Sequence, residues 1–247
     1  MKDEYIIGRN PVLEVLKTEK NIEKLYIQNG ELKGSINKIM GIAKDKNIVV
    51  QRVDKSKLDQ MAQGNHQGVI ALTNPFTYSS IEEILENAER RKEPPFILIL
   101  DGIEDPHNLG AIIRTAECGG AHGIIIPKRR SASVNSTVYK GSAGAVEHIP
   151  VARVTNISDS IEILKDKGLW IYGADMEGEN YYFHTEMKGP IALVIGSEGR
   201  GLSRLVREKC DFLLKIPMLG KISSLNASNA ASILIYEIVR QNHGEKS

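Results

Sequence analysis

The sequence predicts an α/β chain in two parts, a small alternating module followed by a larger domain built on a parallel sheet. Three observations carry this. From Phe96 onward, short apolar runs alternate with helical stretches. Several of those runs are continuously apolar, as strands covered on both faces are. Between the parts, residues 73–95 change character, with Pro75, Pro94 and Pro95 around a highly charged helix. At 247 residues the chain is long for one core and comfortable for two.

In the first part, GRNPVLEVLKT (8–18) opens a helix. Asn10 is a natural cap, and Pro11 fits the first helical position, where its missing N–H costs nothing. Strands are expected at 24–28, 47–53 and 68–73, with helices at 35–46 and 54–62. This makes residues 1–75 a unit of domain size. Residues 76–93 read as a linker that carries a helix, and 94–247 as the second domain. Its strands fall at 96–100, 123–127, 149–154, 169–174, 191–196 and 212–217. A helix at 226–242 closes the chain; Ala230, Ile233, Leu234, Glu237 and Ile238 recur there at helical spacing with one polar interruption. That stripe serves either packing inside the domain or a two-fold contact between copies.

Composition excludes several classes. Hydrophobic residues make up 41% and charged residues 26%, an ordinary globular balance. Lys and Arg total 32 against 31 Asp and Glu, so any nucleic-acid contact must come from local patches. The two cysteines, Cys118 and Cys210, lack the spacing of a zinc site or a disulfide framework and read as small buried hydrophobes. No apolar run has the length of a signal core or a membrane span, which points to the cytoplasm.

Three loops follow strands of the second domain, where parallel sheets bind ligands. The first, DPHNLGAIIRTAE (105–117), places Asn108 as a plausible cap and a lone arginine, Arg114, in an apolar helix. The second, GSEGRGLS (196–203), has three glycines in six residues with Glu198 among them. Its order, G-x-x-G-x-G, is neither the dinucleotide nor the P-loop pattern. The third, IPMLGKISSLNASNAA (216–231), offers more polar side chains (Ser223, Ser224 and Asn226 among them) than one helix cap needs.

In this order and spacing, the loops resemble the motifs of the SpoU (TrmH-like) branch of the SPOUT RNA 2'-O-ribose methyltransferases. NLGAIIRTA is similar to the first motif, LVIGSEGRGLS to the second and IPMLGKISSLNASNAAS to the third, where Ala227 and Asn229 stand in place of two usual valines. GRNPVLEVL and NHQGVIA (65–71) resemble that family's L30e-like substrate-binding domain. The two-domain pattern is most similar to the RlmB-type 23S rRNA guanosine 2'-O-methyltransferases.

The resemblance implies a small L30e-like domain followed by a parallel-sheet SPOUT domain with a trefoil knot. Sequence physics would not suggest the knot, since knots are nearly absent from folds generally. It implies S-adenosylmethionine as cofactor, with no metal, because a sulfonium methyl is already activated. Arg114 is the implied catalytic arginine, joined by Asn108, Glu198, Ser224 and Asn226. Gly196, Ile216, Leu225 and the loop after Ala174 would hold the cofactor, largely by backbone. That leaves no need for an acidic residue at the end of a ribose-binding strand. The expected partners are 23S rRNA and a second copy of the chain, paired through the knot. Lys128, Arg129 and Arg130, in a PKRR stretch after a strand, are placed to meet phosphates. A tRNA substrate and a noncatalytic RNA-binding role on the same fold are the alternatives. A dinucleotide enzyme is disfavoured because the glycine-rich loop is late and in the wrong order.

Overall fold

The structure, a computed structural model, describes residues 4–17, 22–30, 34–62, 64–73 and 76–243. Thr18 and residues 74–75, parts of the expected first helix and linker, lie outside them. The chain forms two units, Met1–Thr77 with Ser133–Ser136, and Tyr78–Ala132 with Thr137–Ser247.

The first unit runs β1 (Glu4–Ile7), α1 (Arg9–Lys17), β2 (Ile22–Gln28), α2 (Ser35–Asp45), β3 (Val49–Val53), α3 (Lys55–Met61) and β4 (Val69–Thr73). Its sheet has the order β1-β4-β2-β3, with β2 and β3 parallel and β4 antiparallel to both its neighbours. Val12, Leu16, Leu25, Ile27, Ile39 and Val69 are buried together as its core. Two expectations are corrected here. β1 is absent from the sequence reading, because four residues give too little periodicity and the strand is defined by its pairing with β4. Asn10 is not the cap. α1 starts at Arg9, and the Gly8 carbonyl accepts the Val12 N–H, so glycine at φ 93 turns the chain from β1 into the helix.

The second unit begins with α4 (Ile81–Arg91), inside the expected linker. Ser80 and Glu83 close a full capping box at its start. Ile84 of α4 lies so close over Gly123 that a Cβ there would approach it to 2.5 Å. The remaining elements are β5 (Phe96–Asp101), α5 (Pro106–Cys118), β6 (Gly123–Pro127), α6 (Ser136–Gly141), β7 (Val151–Val154), α7 (Ile157–Asp166), β8 (Trp170–Ala174), β9 (Asn180–Tyr181), β10 (Ile191–Gly196), α8 (Arg204–Lys209), β11 (Phe212–Lys215) and α9 (Ala227–His243). Seven strands form one all-parallel sheet in the order β7-β6-β5-β10-β8-β11-β9. Strict alternation breaks between β8 and β10, where the connection holds only β9 and a single 3-10 turn at Tyr182–His184.

β5 has β6 on one side and β10 on the other, so chain direction across the sheet reverses at β5 and opens a crevice beyond its carboxyl end. On α9, Ala227, Ala231, Leu234, Ile235 and Ile238 are buried. Ile235 and Val239 close on Gly119 at the end of α5, so much of the stripe packs within the unit. The cysteines also differ from expectation: Cys118 is exposed, and only Cys210 is sheltered, its thiol pushed up to about 12 by burial. No helix among the described residues is long and apolar enough to cross a membrane.

His122 fixes the start of β5. Its Nδ1 accepts the Phe96 N–H at 3.0 Å, so the ring proton sits on Nε2, facing Glu93 at 3.1 Å. Burial, and next the Arg91 charge, hold its pKa below the usual value of 6.5. A second proton would have to displace the Phe96 contact. Because the unfolded chain binds that proton more readily, His122 contributes stability above the unfolded value and loses it as pH falls toward the lower folded one. We expect denaturant stability to drop as pH is lowered from 8 through 6, and a His122→Asn variant to show a flatter profile over that window.

Candidate active site

β5 and β10 end in register, Asp101 opposite Gly196, so the loops that leave them start side by side. Asp101 Oδ2 accepts the Ser203 N–H at 2.7 Å and ties the far end of the second loop back to the first. Asp105, not Asn108, is the N-cap of α5. Its carboxylate accepts the His107 N–H at 2.9 Å, and Pro106 occupies the first turn. A residue before proline is driven to extended backbone, which is what a cap requires. Asn108 falls inside the first turn, and its side chain is released for other contacts.

The second loop is a tight turn. Ser197 and Gly201 exchange N–H···O bonds of 3.1 and 2.9 Å. Gly199 and Gly201 sit at φ 79 and 64, where only glycine is at ease. At Gly196 a Cβ would stand 2.2 Å from the Gly201 carbonyl carbon, so the backbone itself fills that space.

This turn presents Glu198. Its Oε1 accepts Asn108 Nδ2 at 3.0 Å, the Ala227 N–H at 3.2 Å, and Asn226 Nδ2. Asn226 Nδ2 also donates to Asn108 Oδ1 at 2.9 Å. Asn226 Oδ1 in turn accepts the Ser228 N–H at 2.9 Å and caps α9. A carboxylate at this helix N-terminus gains from the helix dipole as well as from its donors. Three of the five residues expected to carry the chemistry thus form one hydrogen-bonded cluster drawn from all three loops.

Two cavities meet at the turn. One, of about 350 Å³, is lined by Ala174, Gly196, Ile216 and Leu225, the four residues expected at the cofactor, and by Ser224. The other, of about 790 Å³, is lined by Asn108, Arg129, Arg130, Asn156 and Arg204 among others. Ser197, Glu198, Arg200, Gly201 and Leu202 border both. Lys128 borders neither; its N–H is spent on the Val154 carbonyl at 2.7 Å. Ser224 is exposed and outside the hydrogen-bonded cluster. Arg114 is exposed on α5, borders neither cavity and makes no hydrogen bond or ion pair among the described residues. Six residues of α-helix separate it from Asn108, which turns the two side chains to different faces.

The sequence reading missed an acidic pair at the smaller cavity. Asp175 follows β8 directly, and with Glu177 it lines that cavity. Arg207 Nε holds Asp175 Oδ2 at 3.2 Å, and its Nη1 holds Glu177 Oε2 at 2.9 Å. The acid after the strand was visible in GADMEG, but its partner lies more than thirty residues away. The cavity fits an adenosyl-methionine group in size and character. Leu202, Leu214, Ile216, Met218 and Ala230 give apolar walls, while the acids and Ser223 and Ser224 give a polar rim.

Comparison with known proteins gives both units a family. Residues 95–236 match the SpoU rRNA Methylase family, and residues 5–79 match the family of RNA 2'-O ribose methyltransferase substrate-binding domains. The chain is 48% identical over 240 residues to YacO of Bacillus subtilis, described as a TrmH family tRNA/rRNA methyltransferase, covering 97% of this chain and 96% of that one. Among solved structures, the SpoU methyltransferase AviRb from Streptomyces viridochromogenes, in complex with AdoMet, superposes with a TM-score of 0.61 at 26% identity, over 97% of this chain and 90% of that one. The TrmH/SpoU tRNA modifying enzyme of A. aeolicus reaches a TM-score of 0.55 at 26% identity, over 64% of this chain and 83% of that one.

A Gly196→Ala substitution should open the 196–201 turn. We expect affinity for S-adenosylmethionine, measured by calorimetry, to fall more than about tenfold, since overpacking of this kind costs roughly 1–3 kcal/mol.

Proposed function

Because the chain belongs to the SpoU rRNA methylase family, and is therefore an S-adenosylmethionine-dependent RNA 2'-O-methyltransferase, we propose that it methylates a guanosine ribose of large-subunit (23S) rRNA in the cytoplasm. The observation that carries the site assignment is the shared wall at Glu198. A cofactor-sized cavity and a larger, arginine-lined cavity border the same five-residue turn. A ribose hydroxyl entering from the larger side meets a methyl group held on the smaller side.

S-adenosylmethionine, when bound, supplies a methyl group already activated on sulfur. The chain's own task is to align a hydroxyl oxygen with that methyl group and to lower the cost of losing its proton. In this reading Gly196, Ile216, Leu225 and Ala174 shape the cofactor seat, and Ser224 closes its rim. Asn108, Glu198 and Asn226 are positioning residues: their cluster locks α5, the glycine turn and α9 into one register. Arg129 and Arg130 attract the phosphates of the incoming strand, and Lys128 adds charge beside them.

Arg114 is the catalytic residue of the proposal. Its guanidinium binds the phosphate next to the target ribose in bidentate fashion and steadies a developing alkoxide. It borders neither of the two cavities at the turn, so a dimer belongs to the reading. Two copies pair through the knot and α9, and Arg114 of each serves a cavity of the assembly. One residue along, Thr115 bonds Ser232 of α9 at 3.2 Å, which is consistent with Arg114 sitting near such an interface. The trefoil knot is part of the same reading. A tRNA ribose is the second reading, favoured by the likeness to the A. aeolicus tRNA modifying enzyme. A noncatalytic role fits poorly with an intact Asn108, Glu198 and Asn226 cluster.

The test uses labelled S-adenosylmethionine with unmodified 23S rRNA and tRNA transcripts, followed by mapping of ribose methylation. We expect label in the rRNA, on a guanosine 2'-oxygen. An Arg114→Lys variant should keep less than about a tenth of wild-type turnover, because one positioned transition-state contact is commonly worth tens to hundreds of fold.

A further inference from the structure

Within the first unit lies a cavity of about 680 Å³. We propose that it is a nucleotide-recognition pocket, which takes one unstacked base of the RNA substrate and its phosphate. The inference rests on the reading of the chain as an RNA methyltransferase and goes beyond it by naming where the first unit grips RNA.

The pocket is built by backbone that side chains resist. Gly64 and Gly68 sit at φ 127 and 81, and between them Gln67, which has a Cβ, is held at φ 50. A non-glycine residue in this region is disfavoured and persists only where its surroundings enforce it. They do so here. The Gln67 carbonyl accepts Arg9 Nε at 3.0 Å, and its Oε1 accepts the Arg9 N–H at 3.2 Å. His66 is buried beneath the loop; Nδ1 accepts the Gly68 N–H at 3.0 Å, and Nε2 donates to Asp59 at 2.9 Å. This brace also holds one carboxylate oxygen of Asp59 at the cavity wall.

What the rigid frame presents is polar and unspent. Gln28, Lys55 and Asn65 line the cavity, and their side chains make no hydrogen bond or ion pair among the described residues. The Arg9 guanidinium uses only Nε, which leaves both terminal nitrogens to donate. Two carboxamides, each with donor and acceptor, suit the edge of a nucleobase, as side-chain amides pair with base edges. Arg9 and Lys55 suit a phosphate. Over residues 1–75, 12 Lys and Arg stand against 9 Asp and Glu, an excess that favours a polyanion.

The test measures binding of full-length protein to an unmodified large-subunit rRNA transcript by filter retention across a salt series. Methyl transfer is followed separately. The side chains of Gln28, Lys55 and Asn65 make no hydrogen bond among the described residues, so alanine there should leave the thermal midpoint and the affinity for S-adenosylmethionine unchanged. We expect a Gln28→Ala/Asn65→Ala double variant to lose about tenfold or more in RNA affinity at every salt concentration, with the salt slope kept. Lys55→Ala should reduce that slope by about one. RNA affinity within twofold of wild type in the double variant overturns the pocket. So does equal competition by free guanosine monophosphate, which would make the ligand a small nucleotide. Should the wild type transfer no methyl group to RNA, the functional reading falls. Loss of binding in the variants would still support the pocket.

Discussion

The candidate active site of the second unit depends on one carboxylate oxygen. Glu198 Oε1 gathers the side chains of Asn108 and Asn226 and the backbone N–H of Ala227, donors that come from two other loops. Each of those loops is polar and exposed, and none has an apolar core of its own to fix its position. A charged acceptor shared among three donors does what packing does elsewhere. Hydrogen bonds to a carboxylate are roughly twice as strong as neutral ones, and the α9 dipole adds to them. Remove that oxygen and Asn108 and Asn226 still touch each other, but the glycine turn is no longer held to either helix.

The glycines set where that oxygen stands. The turn from Ser197 to Gly201 closes against Gly196 with no space for a Cβ. Its outer faces form the common wall of the two cavities. In the proposed reaction the donor and acceptor atoms approach to about 3 Å. They meet over the rim of the turn, where the two cavities come together, and not through it. The acidic pair Asp175 and Glu177, held by Arg207, also lines the smaller cavity.

Much of this was legible in the sequence, for identifiable reasons. The apolar runs at 96–100 and 191–196 mark β5 and β10 because strands covered on both faces cannot alternate in polarity. Their register, which sets the loops side by side, is a long-range property that no local pattern carries. The glycines of 196–201 and the polar excess of 223–226 pointed to the site without showing who binds whom. Asn108 was misread as a cap because Asn is a good cap in isolation; Asp105, placed before Pro106, is the better one. β1 and β9 escaped notice because strands of four and two residues exist only through their partners. The acid after β8 runs against the expectation that no acidic residue ends a strand at the cofactor, and its partner Arg207 becomes a neighbour only in the fold.

The contact between Asn108 and Asn226 spans 118 positions of the chain. During synthesis the first unit's last strand is complete at Thr73, whereas the residue that finishes the cluster emerges some 150 positions later. At ribosomal speeds that interval is on the order of ten seconds or more. A nascent chain therefore holds the strands of the first unit well before it holds the cluster of Asn108, Glu198 and Asn226. The junction at the start of α9 is the step that closes it.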